Sequence, residues 1–166
     1  SDKLPLETCE TISKSWGYNL SDTTYKTKKQ LIDMLVKASS LGANLLLNIG
    51  PMPNGKIQPE FQDRLAQMGE WLKIYGESIY GTKAGFLKPQ PWGSITQKDD
   101  KVYIHVLDQK NTSISLDNFP FKKITKAYLL KDGKTVKYSV KNNKVEIITN
   151  FDNTEIDNVV VLQVSK

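Results

Sequence analysis

Residues 44–55, Asn44-Leu45-Leu46-Leu47-Asn48-Ile49-Gly50-Pro51-Met52-Pro53-Asn54-Gly55, run an apolar strand straight into a polar loop dense in chain breakers. A barrel strand delivers groups to a site in this way. Asn48, at the strand end, has two readings. Its carboxamide orients a neighbour or a substrate hydroxyl, or it satisfies loop backbone while Gly50, Pro51, Pro53, Asn54 and Gly55 turn the chain. The second is the simpler. The loop lacks the lysine and Ser/Thr of a phosphate cradle. Other reactive groups are few. Cys9 is the single cysteine and His105 the single histidine, which excludes an internal disulfide, a cysteine-based zinc cluster and a local multi-histidine metal site. One thiol does not fix the redox compartment.

The elements that must position such a loop follow from periodicity. Leu45, Leu46, Leu47 and Ile49 leave no alternation, so their strand is expected to be covered on both faces, as in parallel sheets flanked by helices. Before it, Thr27 with Gln30 three residues on forms a capping box, and Leu31, Ile32, Met34, Leu35, Ala38 and Leu41 fall at helical spacing. Gly42 stands where a left-handed cap ends a helix. After it, Pro59 opens a second helix whose apolar face is read as Phe61, Leu65, Met68 and Leu72, widened by Trp71 and Ile74. A closed (β/α) barrel needs eight strands and only one or two of this type are present, so the first half reads as the tail of a larger catalytic domain.

The texture changes after Gly81. Residues 83–93, with Pro89, Pro91 and two glycines, suit a crossing between domains. Short β-branched runs follow at 101–107, 113–116, 124–130, 135–140, 144–149 and 159–164. The turns Asp132-Gly133 and Asn142-Asn143 accept positive φ, so the last part of 124–130 pairs with 136–140, and 138–140 with 145–148, as consecutive hairpins. About six strands without helices make a small antiparallel β-sandwich. The fold class is therefore the last βα units of a TIM-like α/β barrel over residues 1–86, followed by an all-β antiparallel sandwich domain over 87–166.

Composition narrows the function classes. At 166 residues and 39% hydrophobic content the chain suits a globular protein, and no apolar run approaches the roughly 20 residues of a membrane span. The net charge of +5 comes from lysines interleaved with acids, and arginine occurs once, as Arg64, so a nucleic-acid footprint is rejected. No signal-peptide pattern is present, which carries no weight in a chain that reads as starting inside a domain.

Three segments in order carry a resemblance: Glu7-Thr8-Cys9-Glu10-Thr11-Ile12 with Ser15-Trp16-Gly17-Tyr18-Asn19; Gly42-Ala43-Asn44 through Asn48-Ile49-Gly50-Pro51; and Gly69-Glu70-Trp71-Leu72 with Tyr75-Gly76-Glu77-Ser78-Ile79-Tyr80-Gly81. Together they resemble the carboxyl-terminal third of the α-L-fucosidases of glycoside hydrolase family 29, over roughly residues 5–86. The resemblance implies a barrel followed by a β-sandwich, and hydrolysis of terminal α-L-fucose from glycans with retention, without metal or cofactor. Retention uses two carboxyl groups about 5–5.5 Å apart. The resemblance puts both the nucleophile and the acid/base upstream, so no catalytic carboxylate is expected in this chain. Glu7 is the weaker candidate for a catalytic role. Its simpler reading is a carboxylate hydrogen-bonded in the barrel wall. Leu6 stands where relatives usually carry tryptophan. Glu10 is weaker still. Trp16 is the substrate-binding candidate: the resemblance places an aromatic there against the fucose C6 methyl and apolar ring face, a contact its physics suits. Gly17 and Tyr18 shape its loop.

The expected partners are a fucosylated glycan and the preceding barrel segment of the same enzyme. A secreted or periplasmic location follows from the substrate class. The alternative is a non-catalytic carbohydrate-binding or scaffold module, with Trp92, Phe119 and Phe121 as a candidate aromatic platform, although the neighbouring Pro91 and Pro120 suggest packed turns instead.

Overall fold

The computed structural model describes residues 4–108, 110, 113–148 and 151–165. Two parallel strands, β1 (Leu6–Thr11) and β2 (Ala43–Asn48), alternate with two helices, α1 (Lys28–Ser40) and α2 (Pro59–Tyr75). A short 3-10 turn at Gly76–Ser78 leads into eight further strands: β3 (Lys83–Ala84), β4 (Gly93–Lys98), β5 (Lys101–Val106), β6 (Ser113–Leu116), β7 (Lys123–Leu129), β8 (Lys137–Lys141), β9 (Lys144–Ile148) and β10 (Asn158–Ser165). They form a five-stranded antiparallel sheet, β3-β4-β5-β10-β7, and a three-stranded one, β6-β9-β8. The two sheets enclose one apolar core, the arrangement of a β-sandwich.

The central strands of the five-stranded sheet, β5 and β10, are buried on both faces. On β10, Val160, Leu162 and Val164 point into the sandwich, while Val159 and Val161 join Ile12, Leu31, Ile32, Val36, Phe61, Met68, Trp71 and Tyr75 in a second core under the helices. β5 divides the same way, with Val102, Ile104 and Val106 inward and Tyr103 toward the helices. A strand covered twice needs apolar side chains at every position, which explains the unbroken Val159-Val160-Val161-Leu162 run.

The capping box of α1 is present: the Thr27 hydroxyl accepts from the Gln30 amide at 3.2 Å and the Gln30 carboxamide oxygen from the Thr27 amide at 2.8 Å. Gly42 closes the helix at φ +74°. The hydrophobic face is shifted from expectation. Val36 is buried and Leu41 is exposed, because the face turns toward the five-stranded sheet. On α2 the buried positions are Phe61, Met68, Trp71 and Tyr75, while Leu65 and Ile74 are exposed. β2 is not covered on both faces either. Leu46 is 50% exposed, because α1 packs against one side of β2 and nothing among the described residues covers the other.

Residues 83–93 are docked rather than free. β3 pairs with β4, Phe86 packs edge-on to Phe119 and Phe121, and a Cβ on Gly85 would fall 2.4 Å from the Ile95 carbonyl oxygen. β4 escaped the sequence reading because Ile95 is its one strongly apolar residue. Of the two expected hairpins, β8–β9 forms, with Asn142 and Asn143 at φ +50° and +59°. The expected run 144–149 ends at Ile148 in β9, and Thr149 lies outside the described residues. The other hairpin is only a stub. Leu129 and Val136 bond back to Lys134 and Ala127, then Val136 buries its side chain in the sandwich core and β8 crosses to the other sheet.

Between α2 and the five-stranded sheet lies a buried polar pair. His105 Nδ1 faces Asp157 Oδ2 at 2.6 Å, and both residues are fully buried. The Thr96 hydroxyl, 3.4 Å from His105 Nε2, donates to the Ser78 carbonyl at 2.6 Å, tying this seam to the end of the helical unit. Removing Asp157 leaves His105 Nδ1 buried without solvent or a partner. Asp157→Ala is therefore expected to cost about 3–5 kcal/mol in urea unfolding, whereas Ala at the exposed Glu70 of α2 should stay within about 0.5 kcal/mol.

Candidate functional site

The last register pair of the parallel strands is Thr11 with Asn48, and the loops leaving both strands begin there. The first, residues 12–27, is braced at several points. Asp22 Oδ2 accepts from the amides of Lys14 (2.9 Å) and Ser15 (2.8 Å), folding the loop onto itself. The Lys26 amide donates to the Ile12 carbonyl at 2.7 Å and its ammonium to the Thr11 carbonyl at 2.6 Å, closing the neck. Arg64 of α2 then fixes the Lys26 carbonyl through Nε at 2.9 Å. Asn48 Nδ2 donates to the Trp16 carbonyl at 2.7 Å and to the Thr11 hydroxyl at 3.2 Å. Its bond to the Trp16 carbonyl satisfies loop backbone, and its bond to the Thr11 hydroxyl orients a neighbouring side chain, so both of its sequence readings have a counterpart in the geometry.

On this braced backbone the Trp16 side chain stands 57% exposed. Trp71 and Trp92 are both buried, so Trp16 is the tryptophan presented to solvent. Gly17 and Tyr18 lie against the second loop: a Cβ on Gly50 would come within 2.6 Å of the Gly17 carbonyl carbon and 2.8 Å of the Tyr18 amide nitrogen. Sequence reasoning missed Asp22, Lys26 and this contact. Asp22 followed two residues later by Thr24 is the pattern of an Asx turn and was the one local signal available; the others join segments far apart in the chain.

Glu7 lies elsewhere. It sits near the amino end of β1, opposite Asn44, and is exposed. Its carboxylate makes no hydrogen bond or ion pair with the described residues. Glu10 forms an ion pair with Lys26 at 3.4 Å. No group of three His, Cys, Asp or Glu suited to a metal occurs among the described residues, and no helix is long and apolar enough to cross a membrane. The candidate platform of the second half is packed away: Trp92 and Phe119 are buried, and Phe119 and Phe121 meet edge-on at 5.3 Å.

With this geometry in place, likeness to known proteins becomes specific. A sequence model of the α-L-fucosidase family matches residues 1–77. The chain is 40% identical over 123 residues to an α-L-fucosidase of Branchiostoma floridae, covering 66% of this chain and 26% of that protein. It is 50% identical over 82 residues to the human tissue α-L-fucosidase, covering 46% of this chain and 17% of that protein. Among solved structures, α-L-fucosidase isoenzyme 1 of Paenibacillus thiaminolyticus superposes with a TM-score of 0.87 at 33% identity, over 98% of this chain and 40% of that one. A Bacteroides thetaiotaomicron α-L-fucosidase, trapped as a covalent intermediate in complex with 2-fluoro-fucosyl fluoride, gives 0.87 at 28% identity, over 96% and 38%. The chain thus spans about a quarter or less of the curated relatives named and about two fifths of the solved ones. These relatives are glycoside hydrolases. More narrowly, they are α-L-fucosidases, the Bacteroides one of glycoside hydrolase family 29, and this chain belongs to the α-L-fucosidase family.

Desolvation pushes the Asp22 carboxyl upward, but the amides of Ser15 and Lys14 and its remaining hydrogen bonds outweigh this and hold it below its ordinary 3.8. A carboxyl lowered by folding stabilises the loop fully above its ordinary value, and that contribution is lost as pH falls through the lowered one. Amide hydrogen exchange at Lys14 and Ser15, corrected for intrinsic rates, should therefore stay flat above pH 4 or so and speed up only in stronger acid. Asp22→Asn should abolish that acid-dependent step.

Proposed function

We propose that this chain is part of a retaining α-L-fucosidase that hydrolyses terminal α-L-fucose from glycans. The observation that carries the reading is the open parallel pair. Within the family-matched segment, β1 and β2 pair only with each other among the described residues, and they leave Leu6 and Leu46 exposed. Parallel strands are ordinarily covered on both faces. The missing cover fits a barrel whose other strands belong to a preceding segment, so residues 1–86 read as its last βα units and 87–166 as the sandwich domain that follows.

On that reading the carboxyl ends of β1 and β2 lie on the active-site face, where barrel enzymes keep their chemistry. Trp16 emerges there and lines the fucose pocket, its ring covering the apolar face and C6 methyl of the sugar. Glu7 is four residues below Thr11, about 13 Å along the strand, and stands at the wrong end to donate a proton. Nucleophile and acid/base are accordingly assigned upstream. The covalent intermediate trapped in the Bacteroides relative supports retention through a glycosyl-enzyme. A structure of the Thermotoga maritima α-fucosidase in complex with fucose, 26% identical with a TM-score of 0.81, supports the sugar. No cofactor enters the reaction. A secreted or periplasmic location belongs to the same proposal, since fucosylated glycans are met mainly outside the cytoplasm.

Release of nitrophenol from a nitrophenyl α-L-fucoside tests the proposal. The complete protein should turn over with retention, and the 166-residue polypeptide alone should not. Turnover by the isolated chain would return Glu7 to the catalytic candidates. In the complete protein, Trp16→Ala should raise KM about tenfold, the size of one lost aromatic contact, with the thermal midpoint nearly unchanged. Unaltered kinetics would make Trp16 a packing residue.

A further inference from the structure

We propose that Asn48 is the positioning residue for Trp16 and that Gly50 is the seat on which the same loop rests. The inference depends on Trp16 facing the sugar, as proposed above, and adds what sets its angle. Three observations converge. Asn48 spends both amide hydrogens across the top of the parallel pair, one on the Trp16 backbone carbonyl at 2.7 Å and one on the Thr11 hydroxyl at 3.2 Å. Its own carbonyl lies 3.4 Å from both the Ile12 amide and the Thr11 hydroxyl, so one residue fastens the loop at its root and at the aromatic. Two residues on, Gly50 packs so closely under Gly17 and Tyr18 that any Cβ would collide with backbone atoms, which cannot move aside as a flexible side chain can.

The division of labour is visible in what each brace touches. Asp22 holds Lys14 and Ser15 within the loop itself, and Lys26 closes the neck onto Thr11, the last residue of β1. Asn48 and Gly50 alone among these braces come from β2 and its loop, and they meet the chain at positions 16–18. They relate the indole to the barrel wall rather than to its own loop. An exposed aromatic on a fixed backbone loses little freedom when a sugar stacks on it, so the gain appears as affinity. Loosening the seat should raise KM and leave the chemical step nearly untouched, the signature of binding shared by ground and transition states.

The experiment is a double-mutant cycle in the complete enzyme with Asn48→Ala and Trp16→Ala, together with Asn48→Asp, which keeps the shape of the side chain and removes its N–H donors. Asn48→Ala and Asn48→Asp should each raise KM for the nitrophenyl fucoside several-fold, with kcat changed less than about threefold. Added to Trp16→Ala, Asn48→Ala should bring little further change. Iodide quenching of Trp16, read as the difference between the wild type and Trp16→Phe, should increase when Asn48 is replaced. The proposal is overturned if KM is unmoved, if the two effects multiply independently, if Asn48→Asp behaves as wild type, or if Trp16 quenching stays the same. Should the complete wild-type protein fail to cleave the fucoside, the functional reading falls, and the quenching comparison still decides the role of Asn48.

Discussion

Everything in this chain hangs on one sheet that is buried twice. β5 and β10 send alternate side chains into the sandwich and under the helices, so two apolar cores share a single backbone layer. Backbone polar groups in such a layer have no water to fall back on, and the antiparallel ladder satisfies them. The layer therefore tolerates few polar side chains. Two of those it keeps, Thr96 and His105, are matched to Ser78 and Asp157 rather than left open. The sandwich is thus a buttress for the helical unit, and the short docked segment 83–93 gives little room for the two to move apart.

The site inherits its order from that buttress. α1 and α2 pack on the shared sheet through Leu31, Ile32, Val36, Phe61, Met68 and Trp71, and α1 in turn packs against one face of β2. Ile12, the first residue after β1, is itself fully buried in the same core, so the loop that carries Trp16 starts from a fixed point. From there short polar contacts take over: Asp22, Lys26, Asn48 and Arg64 each hold a backbone group. A large aromatic exposed to water gains nothing by itself. On a held backbone it is an apolar face already fixed in place.

The aromatics proposed as a platform in the second half are spent on packing: Phe86, Phe119 and Phe121 stack edge to face, and Trp92 is buried in the same core. The lysines that give the chain its positive charge lie along exposed strands and turns, several of them paired with acids, as Lys101 is with Glu77 and Lys134 with Asp132. A surface of that kind keeps a small β-domain soluble and blunts its exposed edges.

The sequence alone determined what depends on near neighbours. The capping box at Thr27 and Gln30, the glycine stop at Gly42, the proline opening α2 and the Asn142-Asn143 turn are set by residues within a few positions of one another, and all were readable. So was the resemblance to the fucosidases, because its landmarks are strings of adjacent residues. What depends on distant partners was not. β1 and β4 carry too few apolar residues to announce themselves, and they are strands only because β2 and β5 pair with them. Leu65 and Ile74 have the spacing of a buried face and stay in water, because the shared sheet lies against Phe61, Met68, Trp71 and Tyr75 instead. Trp16 could be named from its neighbours in sequence. Its seat could not, since Asn48 and Gly50 meet it across more than thirty residues, and only the closed fold brings a carboxamide and a bare Cα to that loop.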